Sequence, residues 1–238
     1  MSYILEFIPL RVIRYKEKSL ILHGLTPQGN KAFFLPSYIK KNKNLYPYLF
    51  YPLSMLEITY YERPHFDLPF VKHIQLIKYP SFALTNPSFQ PLLTFLSEMY
   101  YTFIIHDDGS LYQFIRGELS ELYASEFFEK EWLFKHLIKL LAHFGFGLEK
   151  WISWNTLNNT QEPFLETPMG RVHTQLLQKM KMLTFDQEKN VISTSLEAYE
   201  ILQFLLQLFK QQLGIPHDFQ SLKLIQLYFS FVFDETTA

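Results

Sequence analysis

The chain of 238 residues contains no cysteine. That excludes a disulfide framework and any zinc site built on thiolates, and it fits a reducing compartment. Long apolar runs are missing too: none approaches the roughly 20 residues that cross a bilayer. The opening MSYILEFIPLRVIRYK places Glu6 among its first apolar residues and has no small-residue cleavage site, so no signal peptide is expected. Nor is there a surplus of either charge, since 22 Lys/Arg stand against 23 Asp/Glu. The motifs of the P-loop, the GxSxG elbow, HExxH and the EF-hand are all absent. What the chain has in quantity is 48% hydrophobic and 18% aromatic residues, ample for a core and for one large or two small domains. These features together predict a soluble cytoplasmic protein that is not an enzyme.

The near-zero net charge conceals a division. Residues 1–80 hold eleven Lys/Arg against five Asp/Glu, a net +6, and residues 81–238 hold eleven against eighteen, a net −7. A basic first third suggests a polyanionic partner, with a plain surface-charge mosaic as the other reading. The densest positive stretch is YIKKNKNLY, from Tyr38 to Tyr46, where Lys40, Lys41 and Lys43 stand between aromatics.

Periodicity changes at the same place. YILEFIPLRVIRY, SLILHGLT, NKAFFLPS, LYPYLFYPLSMLEITYY and LPFVKHIQLIKY are rich in β-branched and aromatic residues and predict five strands, enough for a small closed or nearly closed barrel that leaves no edge exposed. Thr26-Pro27-Gln28-Gly29 is the clearest turn. Pro47 and Pro52 require an edge, bend or bulge. After Pro80, apolar residues recur at spacings of three and four. This predicts helices over Ser88–Ile105, Leu111–Tyr123, Glu126–Phe144, Met169–Leu183, Ser195–Leu213 and Phe219–Phe233. Leu148–Pro168 shows no clear period. The expected domains are thus 1–80 and 81–238.

Candidates for chemistry are few. His106-Asp107-Asp108 before Gly109 reads as a turn more readily than as a metal site. His136 and His143 share a helical face without an obvious third ligand. Gly145-Phe146-Gly147 follows a helix, as a stop signal does, and not a strand, as a dinucleotide fingerprint would. No cofactor and no metal are expected.

The order of segments resembles the bacterial DNA repair protein family RecO, in the branch typical of Bacteroidetes. VIRYKEKSLILHGLTPQGNKAFFLP, from Val12 to Pro36, is similar to the family's opening strands and "LT-x-x-x-G" hairpin. IKKNKNLYPYLFYPLSMLEITYYERP, from Ile39 to Pro64, resembles its basic segment and "lfqPlsllEl" strand. LLTFLSEMYYTFI, HLIKLLAHFGF and SLEAYEILQFLLQLFKQQLGIPHDFQSLKLIQLYF resemble its helices "laEflyyat" and "rll-x-x-lGf" and its closing helix pair. The resemblance implies an α+β protein: a five-stranded oligonucleotide-binding (OB) barrel, then an all-α helical domain. It also implies a recombination mediator of the RecF pathway, associated with the nucleoid. Such a protein binds single- and double-stranded DNA, anneals strands, contacts the tail of single-stranded DNA-binding protein (SSB) and acts with RecR to load RecA. Many members carry a cysteine zinc site, which this chain lacks.

On that reading Lys40, Lys41 and Lys43 supply a phosphate track, extended by Arg11, Arg14, Lys16, Lys18 and Lys31, with Tyr38 and Tyr46 as stacking platforms. Nothing in this set reads base identity, so binding is expected to depend on phosphate charge and little on sequence. Trp132 and Leu133 with Lys135 and Lys139, four residues apart, form the candidate for the SSB tail. The competing reading is a barrel that serves as a protein-interaction module without direct DNA binding.

Overall fold

The computed structural model describes residues 1–16, 19–36, 51–81, 86, 89–103, 109–124, 129–147, 164–167, 170–185, 191–214 and 219–234. Five strands open it: β1 (Tyr3–Tyr15), β2 (Ser19–Thr26), β3 (Gly29–Leu35), β4 (Met55–Tyr61) and β5 (Phe70–Lys78). They close into a barrel in the order β1-β2-β3-β5-β4, with β4 returning to β1. Every pairing is antiparallel except β3 with β5. This is the OB-type barrel, and closure removes the edges that five short strands would otherwise expose.

Alternation decides what fills it. Leu5, Phe7, Leu22, Phe33, Leu56, Ile58 and Ile74 point inward and are buried, with Phe7 and Phe33 edge to face at 5.3 Å. Burying each such side chain is worth about 1.5–3 kcal/mol. The long β1 bends at a bulge between Pro9 and Arg11. Gly24 lies opposite Pro9, and a Cβ there would fall 2.1 Å from the Ile8 carbonyl oxygen, so only glycine permits the two strands to pair at the bend. The turn at Thr26–Gly29 forms as its sequence predicts: the Thr26 hydroxyl accepts from the Gln28 amide at 3.2 Å and donates to the Gly29 carbonyl at 2.7 Å, with Gly29 at φ 99°.

Six helices follow among the described residues: α1 (Gln90–Phe103), α2 (Ser110–Ala124), α3 (Trp132–His143), α4 (Thr174–Phe185), α5 (Ser195–Leu213) and α6 (Leu222–Phe229), the last ending in a π-helical turn, Ser230–Asp234. The α5 start is a reciprocal cap: the Thr194 hydroxyl accepts from the Glu197 amide, and the Glu197 carboxylate accepts from the Ser193 amide.

Three expectations are corrected. The fourth strand, expected from Leu45, does not include residues 51–54 and begins, among the described residues, at Met55; Pro52 and Leu53 lie in a turn that Ser54 closes onto the Tyr51 carbonyl, which keeps Pro52 out of the ladder, and residues 45–50 are outside the described residues. Pro47 is outside the described residues. Second, the helix expected from Met169 begins at Thr174, because Gly170–His173 (β7) pairs antiparallel with Phe164–Thr167 (β6), and the ladder takes the backbone groups that a helix would need. The helical part therefore also carries a two-stranded hairpin. Third, the helix expected from Glu126 begins, among the described residues, at Trp132, with 129–131 in a turn before it; residues 126–128 are outside the described residues.

The chain forms two compact units, Met1–Ser125 with Phe219–Ile225, and Glu126–Asp218 with Gln226–Ala238. The change from strand to helix falls near residue 80, but α1 and α2 belong to the barrel's unit. Ser97 on α1 donates to the Leu10 carbonyl at 2.7 Å, filling an acceptor freed by the bulge. On α2, Tyr112 and Arg116 both donate to the Glu6 carboxylate, at 2.5 and 2.6 Å, and Tyr123 donates to the Leu53 carbonyl. The Arg116 hydrogen bond, then that of Tyr112, holds the Glu6 carboxyl below the usual range. In the other unit Phe134 packs with Phe229 and Phe233, and Lys179 pairs with Glu197 at 2.5 Å.

Candidate nucleic-acid interface

In a barrel of this topology, the outer face of β2 and β3, flanked by the β1–β2 turn and the β4–β5 loop, is where oligonucleotides are held. In this chain that face is aromatic. Register places Ile13 opposite Ile21 and Ile21 opposite Phe34, which makes one outward row across three strands, and Phe34 meets Phe70 of β5 in the parallel pairing. The Phe34 amide donates to the Pro69 carbonyl at 2.9 Å, tying the β4–β5 loop to β3.

Rings extend the row on both sides. Tyr15 stands edge to face with Phe34 at 5.9 Å, Phe34 with Phe70 at 5.0 Å, and Phe66 with Phe70 at 5.2 Å, while Tyr61 stacks on Phe70 at 5.8 Å. Phe70 is buried and serves as the hub, but Phe66 is 60% and Tyr15 43% exposed, an arrangement that leaves ring surface for a further aromatic group. Tyr15, Lys16, Ile21, Phe34, Phe66 and Asp67 line a cavity of about 390 Å³ there.

Cations stand at both borders. Lys16, in the β1–β2 turn, has its ammonium 5.3 Å from the Tyr15 ring. Arg63, in the β4–β5 loop, lies 4.4 Å over Phe70 and 5.2 Å over Tyr61, and donates to the Tyr61 hydroxyl at 2.8 Å. Stacking on two rings fixes the guanidinium plane while leaving other donors open to an anion. Among the described non-glycine residues Lys16, Leu53 and His65 hold positive φ, 55°, 65° and 68°, a conformation costly for residues with a Cβ; Lys16 and His65 lie in the two segments bordering the groove, and Leu53 in the turn before β4.

The residues anticipated from sequence are distributed unevenly about this face. Lys16 lines the groove. Arg11 lies opposite His23 and turns its guanidinium to the Tyr101 ring of α1 at 5.3 Å, beside a different cavity of about 500 Å³ that also includes Glu98 and Thr94. Burial, and then the Arg11 charge, lower the pKa of His23. Arg14 is exposed but lies opposite the core residue Leu20, and therefore on the other side of β1 from Tyr15. Lys31 donates to the Tyr60 hydroxyl at 2.9 Å and covers that ring, four residues along β3 from Leu35, or about 13 Å of strand. Lys18, Tyr38, Lys40, Lys41, Lys43 and Tyr46 lie outside the described residues.

In the other unit, Leu133 is fully buried and Lys135 is ion-paired with Glu129, while Lys139 is exposed; Trp132 stacks on the buried His136 at 4.8 Å. The four residues considered for the SSB tail thus do not share one open surface. His106, Asp107 and Asp108 lie outside the described residues, and among those described no group of three His, Asp or Glu could hold a metal ion. Among the described residues no helix is long and apolar enough to cross a membrane.

No known protein-family model matches the sequence, and no curated protein is similar to it. Tyr15, Phe34, Tyr61, Arg63, Phe66, Asp67 and Phe70 were not singled out by sequence reasoning. The available signal was the segment ERPHFDLP, an Arg just before one proline and a Phe between that proline and the next, in a link between strands.

Proposed function

We propose that this chain binds nucleic acid along the β2–β3 face of its barrel and acts, without catalysis of its own, as a mediator of DNA repair and homologous recombination. The observation carrying the reading is the groove in which exposed Tyr15 and Phe66 stand beside Lys16 and Arg63. Bases stack on the rings while the cations meet phosphates, and neither contact distinguishes one base pair from another. Neutralising two strands at once lowers their repulsion, so complementary single strands anneal on the protein. By its resemblance to the RecO family the protein works in the nucleoid with RecR, contacts the acidic tail of SSB and promotes RecA loading in response to DNA damage.

Fluorescence anisotropy of labelled oligo-dT over a salt series tests the first step. Binding that weakens with salt, with a log–log slope of about −0.7 per phosphate, supports the reading. Affinity independent of salt, or none, transfers the barrel to the protein-docking alternative. Annealing of complementary oligonucleotides, with and without the Lys16→Gln/Arg63→Gln pair, tests the second step.

A further inference from the structure

The groove contains one group that a phosphate track does not need. Asp67 lies between Phe66 and Leu68 in the β4–β5 loop, lines the cavity together with Tyr15 and Phe34, and is exposed. Among the described residues its carboxylate takes part in no hydrogen bond or ion pair, although Arg63 is four positions away and is committed to Tyr61 and Phe70. A lone carboxylate beside phosphates raises their binding cost, because like charges repel and an anion offers acceptors only. A nucleobase stacked against the exposed rings alters that balance if its edge carries donors.

The bases differ in this respect. Adenine and cytosine offer one amino group on the pairing edge, and thymine one ring N–H. Guanine offers two adjacent donors, N1–H and the 2-amino group, at the spacing of the two oxygens of a carboxylate. A single-stranded base exposes this edge, whereas a duplex hides it in pairing. We infer that the cavity lined by Tyr15, Phe66 and Asp67 is a subsite for an unpaired guanine, stacked on the rings and held at its pairing edge by Asp67, within a track that is otherwise indifferent to sequence.

This inference rests on the nucleic-acid reading of the groove, and the test separates the two. Oligonucleotides that alternate an abasic spacer with guanine, inosine or adenine, so that no repeat is self-complementary and the test base appears in every register, are compared by anisotropy on the full chain. The guanine repeat is expected to bind about tenfold tighter than the adenine repeat, the scale of a bidentate base contact. Inosine, which lacks the 2-amino group, falls between them. Asp67→Asn is expected to bring the three together, and Asp67→Glu to restore part of the order; unchanged melting of each variant shows that the fold is kept. Equal, salt-dependent binding of all three repeats by the unaltered protein overturns the guanine subsite and leaves the groove a nucleic-acid site. A uniform gain for all three with Asp67→Asn, with no change of order, also overturns it, since the carboxylate then only repels phosphate. Failure of every repeat to bind removes the groove reading and the subsite together.

Discussion

Two aromatic clusters in this protein use the same ring chemistry to opposite ends. In the second unit Phe134 stacks on Phe229 at 5.6 Å and leans on Phe233, and all three are buried. In the barrel, Phe70 gathers Phe34, Phe66 and Tyr61 at nearly the same separations, but Phe66 is exposed and Arg63 rests on the assembly. Ring geometry therefore does not separate a core from a candidate binding surface. Solvent on one face and a cation beside it do, because an exposed ring keeps its stacking energy available and a nearby charge selects the partner.

The sharpest way to break the comparison is to truncate one ring in each cluster. Phe134→Ala is expected to destabilise the protein by about 3–5 kcal/mol, the cost of a cavity in a closed core, read from urea unfolding. Phe66→Ala should cost less than about 1 kcal/mol of stability, since its ring is mostly in water. The same variant is expected to weaken single-strand binding by about 1–3 kcal/mol, one stacked base. Unfolding of Phe66→Ala comparable to that of Phe134→Ala would make the groove a core element and erase the distinction.

A finer test acts on charge. Lys16→Gln and Arg63→Gln should each lower the salt slope of oligo-dT binding by about 0.7 while leaving the melting temperature nearly unchanged. No comparable slope change is expected from Lys179→Gln, whose ammonium pairs with Glu197 in the helical unit.

The smallest effect is expected at a third aromatic, Tyr112, whose hydroxyl and the neighbouring Arg116 hold the Glu6 carboxylate. These bonds lower the Glu6 pKa below its ordinary 4.5, so the folded state takes up its proton later than the unfolded chain as pH falls. The stabilisation is complete above that ordinary value and is lost as pH drops through the lowered one. Arg116 and Glu6 are 45% and 37% exposed, so the pair contributes at most about 1 kcal/mol after screening. Glu6→Gln should accordingly lower the urea midpoint slightly at pH 7 and leave it unchanged near pH 2.

Much of the barrel was legible in the residues. β1 and β2 have the predicted bounds because alternation is a local property and the turn chemistry of Thr26–Gly29 stops the strands where it occurs. The α5 helix was equally legible, since its Thr194 cap and its terminal Gly214 are written in the chain. Less could be read where pairing overrode local preference: Gly170–His173 joined a hairpin and not a helix because the strand just before it, Phe164–Thr167, supplied its hydrogen bonds. The candidate site was the least legible part. Counting lysines identified a basic region, but where a cation ends up depends on bulge, register and neighbouring elements: Arg14 and Lys31 emerge on the side of their strands away from the groove, and Arg11, on the same side of β1 as Tyr15, lies farther along the strand and turns to the Tyr101 ring.

The sequence by itself determined that the first third would be sheet and the remainder mostly helix, because hydrophobic period and turn residues act over a few positions. Only tertiary structure decided which aromatics meet. Tyr15, Phe34 and the Phe66–Phe70 stretch come from three separate segments of chain, and barrel closure, through the pairing of β1 with β2 and β2 with β3 and the parallel contact of β3 with β5, is what brings their rings within 6 Å of one another in a connected row.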